Sequence, residues 1–279
     1  MMGLTTALGG GDLGTLALGL VIAGVVSGLV AGMLGVGGGI VIVPVMYQVL
    51  SAMDVPEDLR MHVAVGTSLA TIIPTSISSL RAHNKKGAVD WALLRRWLAP
   101  MLVGVLAGSV LAGFARGQTL TLIFGLVALP IAAQFGFGKE TWRLADRLPA
   151  GAGGALLPFG IGGVSTMMGI GGGALGVTSM TLCGVPIHRA VATASAFGAI
   201  ISIPGTIGAA IAGWGAAGLP PYSLGYVNLL GFLLISPVAF FTAPAGAAFA
   251  HMADKNRLRK LFALFVAVTA AKMLWDAVG

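Results

Sequence analysis

Apolar residues run along this chain in long stretches separated by short polar gaps. The stretches cover about 15–50, 62–80, 97–115, 119–137, 150–184, 190–212, 224–250 and 258–277. A helix rising 1.5 Å per residue crosses the bilayer hydrocarbon in about 20 residues, so six of the eight predict single transmembrane helices. The first and fifth run to about 35 residues and are too long for one crossing. Each is interrupted by a glycine cluster, Gly35-Val36-Gly37-Gly38-Gly39 in one and Gly169-Ile170-Gly171-Gly172-Gly173 in the other. Glycine weakens a helix interior by about 1 kcal/mol per residue. Four glycines in five positions predict a break, and each long stretch reads as two helices or half-helices joined there.

The two clusters belong to an internal repeat. Met33-Leu34-Gly35-Val36-Gly37-Gly38-Gly39 matches Met167-Met168-Gly169-Ile170-Gly171-Gly172-Gly173, and His62-Val63-Ala64-Val65-Gly66-Thr67-Ser68 matches His188-Arg189-Ala190-Val191-Ala192-Thr193-Ala194. Gly87-Ala88-Val89-Asp90 then resembles Gly225-Tyr226-Val227-Asn228. The predicted organisation is a first transmembrane repeat over 1–138, a charged cytoplasmic linker over 139–148 and a second transmembrane repeat over 149–279.

Basic residues in the gaps choose between two ways of threading these stretches. If each broken stretch crosses once, Lys and Arg divide almost evenly between the two faces. If each is a hairpin returning to its starting side, the gaps at 81–96, 139–147, 183–189 and 251–260 share one face. Only Arg60 and Arg116 then remain opposite, beside Asp54, Glu57 and Asp58. The positive-inside rule selects the hairpins. An odd number of segments per half makes the repeats inverted and places both termini outside. The predicted fold is an all-α polytopic membrane protein of two inverted repeats, each a glycine-broken helical hairpin plus three transmembrane helices, with about 8–10 helical segments in all.

Composition agrees with a lipid-embedded chain. Of 279 residues 57% are hydrophobic and 9% charged, against about a quarter charged in soluble domains. The net charge of +7 sits in the short gaps and implies anionic lipid, not nucleic acid, as its partner. Cys183 is the single cysteine, which excludes an intramolecular disulfide and a cysteine-rich metal site. HExxH and GxSxG do not occur, which argues against an intramembrane enzyme. Gly169-Ile170-Gly171-Gly172-Gly173-Ala174 fits GxGxxA, but no strand is predicted before it. Trp91, Trp97, Trp142, Trp214 and Trp275 fall near span ends and suit the interfacial aromatic belt.

Inverted repeats with helices broken at matching positions point to a secondary transporter whose site lies at the breaks. A helix beginning after a break presents free amides and partial positive charge, which favour an anion. The candidate substrate-binding residues are Gly35, Gly37, Gly38 and Gly39, with Gly169, Gly171, Gly172 and Gly173. Thr67, Ser68, Thr193 and Ser195 follow in the next helix of each half and add hydroxyl donors. His62 and His188 stand at equivalent span entrances, where a proton-sensing role is open to them. Asp90 and Asn228 are placed to cap helices. The spans need no cofactor and no metal. A cation or metal-ion carrier of the same architecture is the alternative reading, though it would normally need an acidic partner that the spans lack.

At Gly32-Met33-Leu34-Gly35-Val36-Gly37-Gly38-Gly39, Ala64-Val65-Gly66-Thr67-Ser68, Gly87-Ala88-Val89-Asp90-Trp91, His188-Arg189-Ala190-Val191-Ala192-Thr193 and Ala243-Pro244-Ala245-Gly246-Ala247, the chain resembles the sulfite/sulfoacetate exporter (TauE/SafE) family. That family is also called the 4-toluene sulfonate uptake permease (TSUP) family. The resemblance implies inner-membrane transport of sulfur-containing anions such as sulfite, sulfoacetate and other organosulfonates, with a second copy of the chain as an open partner. A dianion leaves an inside-negative cell downhill by about 2.3 kcal/mol per charge per 100 mV. That field favours an exporter or facilitator driven by potential and gradient.

Overall fold

The computed structural model describes residues 10–35, 37–138, 143–249 and 255–278. It is all-α apart from one two-residue hairpin. Ten helices follow one another: α1 (Gly10–Leu34), α2 (Gly39–Ala52), α3 (Glu57–Asn84), α4 (Trp91–Phe114), α5 (Gly117–Phe137), α6 (Gly151–Met168), α7 (Gly173–Leu182), α8 (Ile187–Ala212), α9 (Leu229–Phe249) and α10 (Lys255–Val278). The short antiparallel strands β1 (Ser223–Leu224) and β2 (Val227–Asn228) precede α9 and pair Leu224 with Val227. The sequence pattern gave no hint of them. Among the described residues six helices are long and apolar enough to cross a membrane, within 14–33, 57–84, 91–114, 117–137, 187–212 and 229–246.

Both long apolar stretches break at their glycines. α6 closes on Gly169 (φ 69°), and α2 and α7 open from Gly38 (φ 73°) and Gly172 (φ 70°), all left-handed backbone. The short second arms end alike as well. Beyond α2 the amide of Val55 donates to Leu50 O (3.1 Å), and beyond α7 that of Val185 donates to Met180 O (3.0 Å). Asp54 (φ 54°) and Gly184 (φ 82°) take the left-handed position between them, which makes each turn a Schellman closure. Pro56 and Pro186 then start α3 and α8.

Packing follows a regular scheme. α1 lies along α9 and α4 along α6, both parallel and both through glycine: Gly24 and Gly28 meet Ile235 and Ala239, and Gly104 and Gly108 meet Phe159 and Gly163. Small residues let backbones approach where lipid supplies no hydrophobic drive. α3 crosses α8 antiparallel, with Gly66 near Ala209, Leu69 near Gly205 and Ser76 near Gly198. α5 and α10 are antiparallel too, with Gly125 on Leu274 and Gly136 on Ala263. α3 is the most enclosed of the six long apolar helices, its residues 61–72 all buried.

The loops sort to two ends. At one, Arg189 Nη2 lies 3.2 Å from Asp90 Oδ2, Arg96 Nη2 donates to Pro149 O (3.0 Å), and the Leu144 amide donates to Leu182 O (2.8 Å). Three of the four basic gaps therefore meet, as the hairpin threading requires; 250–254 of the fourth lie outside the described residues. At the other end, Gly218 packs on Pro56, Gly117 on Asp58, and Gln118 Nε2 donates to Ala277 O (2.6 Å). α2 heads back to this second end, with Met46 against Gly231 at the start of α9 and Gln48 accepting from Lys272 Nζ (2.8 Å). One expectation is corrected. Trp97 is not interfacial; it is 1% exposed and stacks on Phe197 with ring centres 5.7 Å apart, because α4 presents it to α8 and not to lipid headgroups. Trp91, Trp214 and Trp275 are exposed, and Trp142 lies outside the described residues.

Candidate functional site

The two glycine breaks touch at the centre of the bundle. A Cβ built on Gly37 would lie 3.4 Å from the Gly171 Cα, and one on Gly39 would run into the Gly169 carbonyl. Ile72 of α3 and Gly198 of α8 close around the junction: a Cβ at Gly171 would sit 2.9 Å from Ile72 Cγ2 and 3.0 Å from the Gly198 Cα. Gly35, Gly37, Gly38, Gly39, Gly169, Gly171, Gly172 and Gly173 are all buried. Only residues without side chains allow the backbones this close. Val36, within the first break, lies outside the described residues.

Hydrogen bonding at the breaks is uneven. The Gly35 amide donates to Ala31 O (3.0 Å), Gly169 to Thr166 O (3.2 Å) and Ile170 to Ser165 O (2.9 Å), so the arms before the breaks are closed. Beyond them, no acceptor among the described residues takes the amides of Gly37, Gly38, Gly39 and Ile40, or those of Gly171, Gly172, Gly173 and Ala174. These groups begin α2 and α7. Buried amides of this kind are rarely left without a partner, and a run of them at a helix start carries partial positive charge.

The hydroxyl residues anticipated from the sequence are all buried, and each serves neighbouring backbone. Ser68 Oγ donates to Gly169 O (2.7 Å), tying α3 to the second break. Ser195 Oγ donates to Ala192 O in its own helix (2.6 Å). Thr67 Oγ1 accepts the Asn228 amide (2.9 Å) and Thr193 Oγ1 accepts the Asp90 amide (3.0 Å). Asp90 Oδ1 in turn accepts from the Leu93 amide (3.0 Å) and Asn228 Oδ1 from Gly231 (2.8 Å), the capping predicted for both. Thr67 and Thr193 thus pin the starts of α9 and α4. They lie five residues along their helices from Ile72 and Gly198, so they flank the junction without entering it.

His62 and His188 have unlike surroundings. His188 is exposed at the start of α8. His62 is 8% exposed; its Nδ1 is 2.9 Å from Asp58 O, and its Nε2 is 3.2 Å from Ala112 O and 3.1 Å from Ala115 O. Its ring packs on Tyr226, centres 4.7 Å apart. This pair lines two cavities at once. Outside it lies an open vestibule of about 490 Å³ with Asp58, Arg116 and Gln118. Inside it lies a chamber of about 20 Å³ bounded by Leu69, Ser109, Thr166 and Gly205, room for about one water. The sequence gave no sign of Tyr226 or Ser109 here, since both arrive from other helices and loops.

The family model described as Sulfite exporter TauE/SafE matches residues 20–273, which takes in both breaks, the junction and the vestibule. The chain belongs to the sulfite exporter TauE/SafE family. A probable membrane transporter protein of Haemophilus influenzae is 34% identical over 256 residues, 90% of this chain and 96% of that protein. Another from Methanocaldococcus jannaschii is 24% identical over 91% of this chain and 94% of its own. The probable membrane transporter protein YunE of Bacillus subtilis is 31% identical across 40% of this chain. No solved structure matches it. This TauE/SafE member is a multi-pass membrane transporter.

Proposed function

We propose that the protein carries sulfur-containing oxyanions, such as sulfite, sulfoacetate or another organosulfonate, across the inner membrane, binding them where the two helix breaks meet. The observation that carries this reading is the double run of unanswered amides at Gly37–Ile40 and Gly171–Ala174 on one buried junction. Every one is a donor, and two helix N-termini add their dipoles. In this reading the chain is a transporter and not an enzyme. Thr67 and Thr193 use their oxygens as acceptors, so each keeps a proton to donate. Ser68 and Ser195 hold the surrounding backbone.

The halves 1–138 and 149–279 are read as inverted repeats joined by the linker 139–148. Supporting this, α1 on α9 and α6 on α4 are equivalent pairs, and the equivalent helices α3 and α8, like α5 and α10, run antiparallel. A two-fold axis lying in the membrane plane gives that arrangement. The end bearing Arg81, Lys85, Lys86, Arg95, Arg96, Arg143, Arg147 and Arg189 is assigned to the cytoplasm and both termini to the outside. His62 is assigned the proton-sensing role. Its ring nitrogens face the carbonyls of Asp58, Ala112 and Ala115, and Asp58, Arg116 and Tyr226 line the vestibule beside it.

Proteoliposomes loaded with radiolabelled sulfite or sulfoacetate test the reading. Efflux should accelerate when an inside-negative potential is imposed. Movement of a cation with no sulfur oxyanion moved would overturn it. Cysteine tags near Lys85 and Lys255 should label from the same side.

A further inference from the structure

Two buried serines outside the repeat's matched motifs stand against the breaks with their hydroxyls unpartnered. Ser27 on α1 and Ser165 on α6 are each 0% exposed, and neither Oγ has a hydrogen-bond partner among the described residues. Ser27 Oγ fills the space that a side chain at Gly38 would take. Ser165 Oγ lies 3.4 Å from where a Cβ on Gly172 would be. Gly38 and Gly172 are the residues from which α2 and α7 start. Each serine hydroxyl therefore lies beside a residue of one of the two amide runs.

Leaving a buried hydroxyl unpaired costs about 1–3 kcal/mol, and alanine would avoid that cost in helices as closely packed as these. The placement is also not a by-product of the duplication. With Gly35 aligned to Gly169, the position matching Ser27 is Ile161 and the position matching Ser165 is Ala31. Each half supplies its hydroxyl from a different turn of its first arm, Ser27 beside Gly38 and Ser165 beside Gly172.

We propose that Ser27 and Ser165 are substrate-binding residues that complete the anion site. This rests on the reading of the junction as the transport site. The donors without a partner there are amides and two hydroxyls, each of which has one proton to donate. The nearby Gly169 carbonyl is already engaged by Ser68. A sulfonate or the sulfite dianion presents acceptors alone and satisfies such a set.

The test uses the full-length protein in proteoliposomes, with sulfite and sulfoacetate as probes. Ser27→Ala and Ser165→Ala should each raise KM for sulfite and for sulfoacetate about tenfold or more, the scale of one hydrogen bond to a charged group. Thermal stability without ligand should be unchanged or higher, since no native bond is lost. Ser79→Ala is the control. It removes another buried, unpartnered hydroxyl seven residues along α3 from Ile72, about 10 Å from the junction, and should leave KM unchanged. If an alanine variant does not fold, the cysteine variant of the same size decides, because a thiol donates weakly. An unchanged KM in folded Ser27 and Ser165 variants, or a loss of apo stability in them, overturns the assignment. Should wild type move no sulfur oxyanion at all, it is the transport reading that fails instead.

Discussion

Replacing Gly39 with alanine tests the contact between the two breaks. Gly39 has no unusual φ, so the substitution probes space and not backbone strain. The new methyl would lie 2.7 Å from Ile72 Cδ1 and 3.0 Å from the Ile170 Cα, and would meet the Gly169 carbonyl oxygen. Carbon contacts are comfortable at about 3.5–4.0 Å. Ile72 has a flexible end and gives way, but Gly169 and Ile170 are backbone, and Gly169 O is held by Ser68. The breaks must therefore part by roughly 0.5–1 Å, which at the usual cost of overpacking is about 1–3 kcal/mol. For a chain of this size that lowers Tm by about 2–4 °C per kcal/mol. Gly160→Ala is the matched control, since nothing lies within 4 Å of its Cβ position and it sits in the interior of α6; it should gain stability by about 0.5–1 kcal/mol. Thermal unfolding in detergent and sulfite flux in proteoliposomes would be measured on both. Gly39→Ala should lose several degrees and most of its transport, whereas Gly160→Ala should keep both. A Gly39→Ala protein with wild-type Tm and flux would refute the idea that the breaks abut in the working molecule.

Three further outcomes are expected. Thr67→Val should cost about 1–3 kcal/mol by stranding the buried Asn228 amide. Thr193→Val should cost less, because the Asp90 amide is only part-buried; comparing their melting temperatures checks the order. In a Cys183→Ser background, Ser109→Cys should react slowly with a membrane-impermeant thiol reagent and much faster once His62→Ala is added, since the His62–Tyr226 pair separates the chamber from the vestibule; equal rates would contradict the barrier. Burial pushes the Cys183 thiol up from its ordinary value. Less of it is the reactive thiolate at neutral pH, so maleimide labelling should be slow there and climb as pH rises beyond the range of a free cysteine.

The sequence by itself determined a great deal here, because lipid imposes a simple rule. Backbone groups that face lipid must be bonded within the protein, which a helix does by itself, so apolar length translates directly into elements. The stretches at 62–80, 119–137 and 190–212 lie inside α3, α5 and α8, and both breaks occur at the glycines. Loop charge chose the hairpin threading for a similar reason: like charges gather on one face, and the Arg189–Asp90 and Arg96–Pro149 contacts put those loops together. The cap roles of Asp90 and Asn228 were legible because they depend on the next three residues only.

What the fold alone decided involves partners distant in sequence. Nothing local distinguishes Trp97 from the exposed tryptophans; α8 buries it by bringing Phe197 alongside. Thr67 and Thr193 are matched in the repeat, but that they accept the amides of Asn228 and Asp90 depends on α9 and α4 arriving from the other half. His62 and His188 are equally matched, yet only His62 is enclosed, by the end of α4 and by Tyr226. Ser27 and Ser165 escaped a reading by repeats because they occupy different turns in the two halves. A position in the sequence fixes what a side chain can donate or accept, but the tertiary packing fixes which groups are left waiting for a partner.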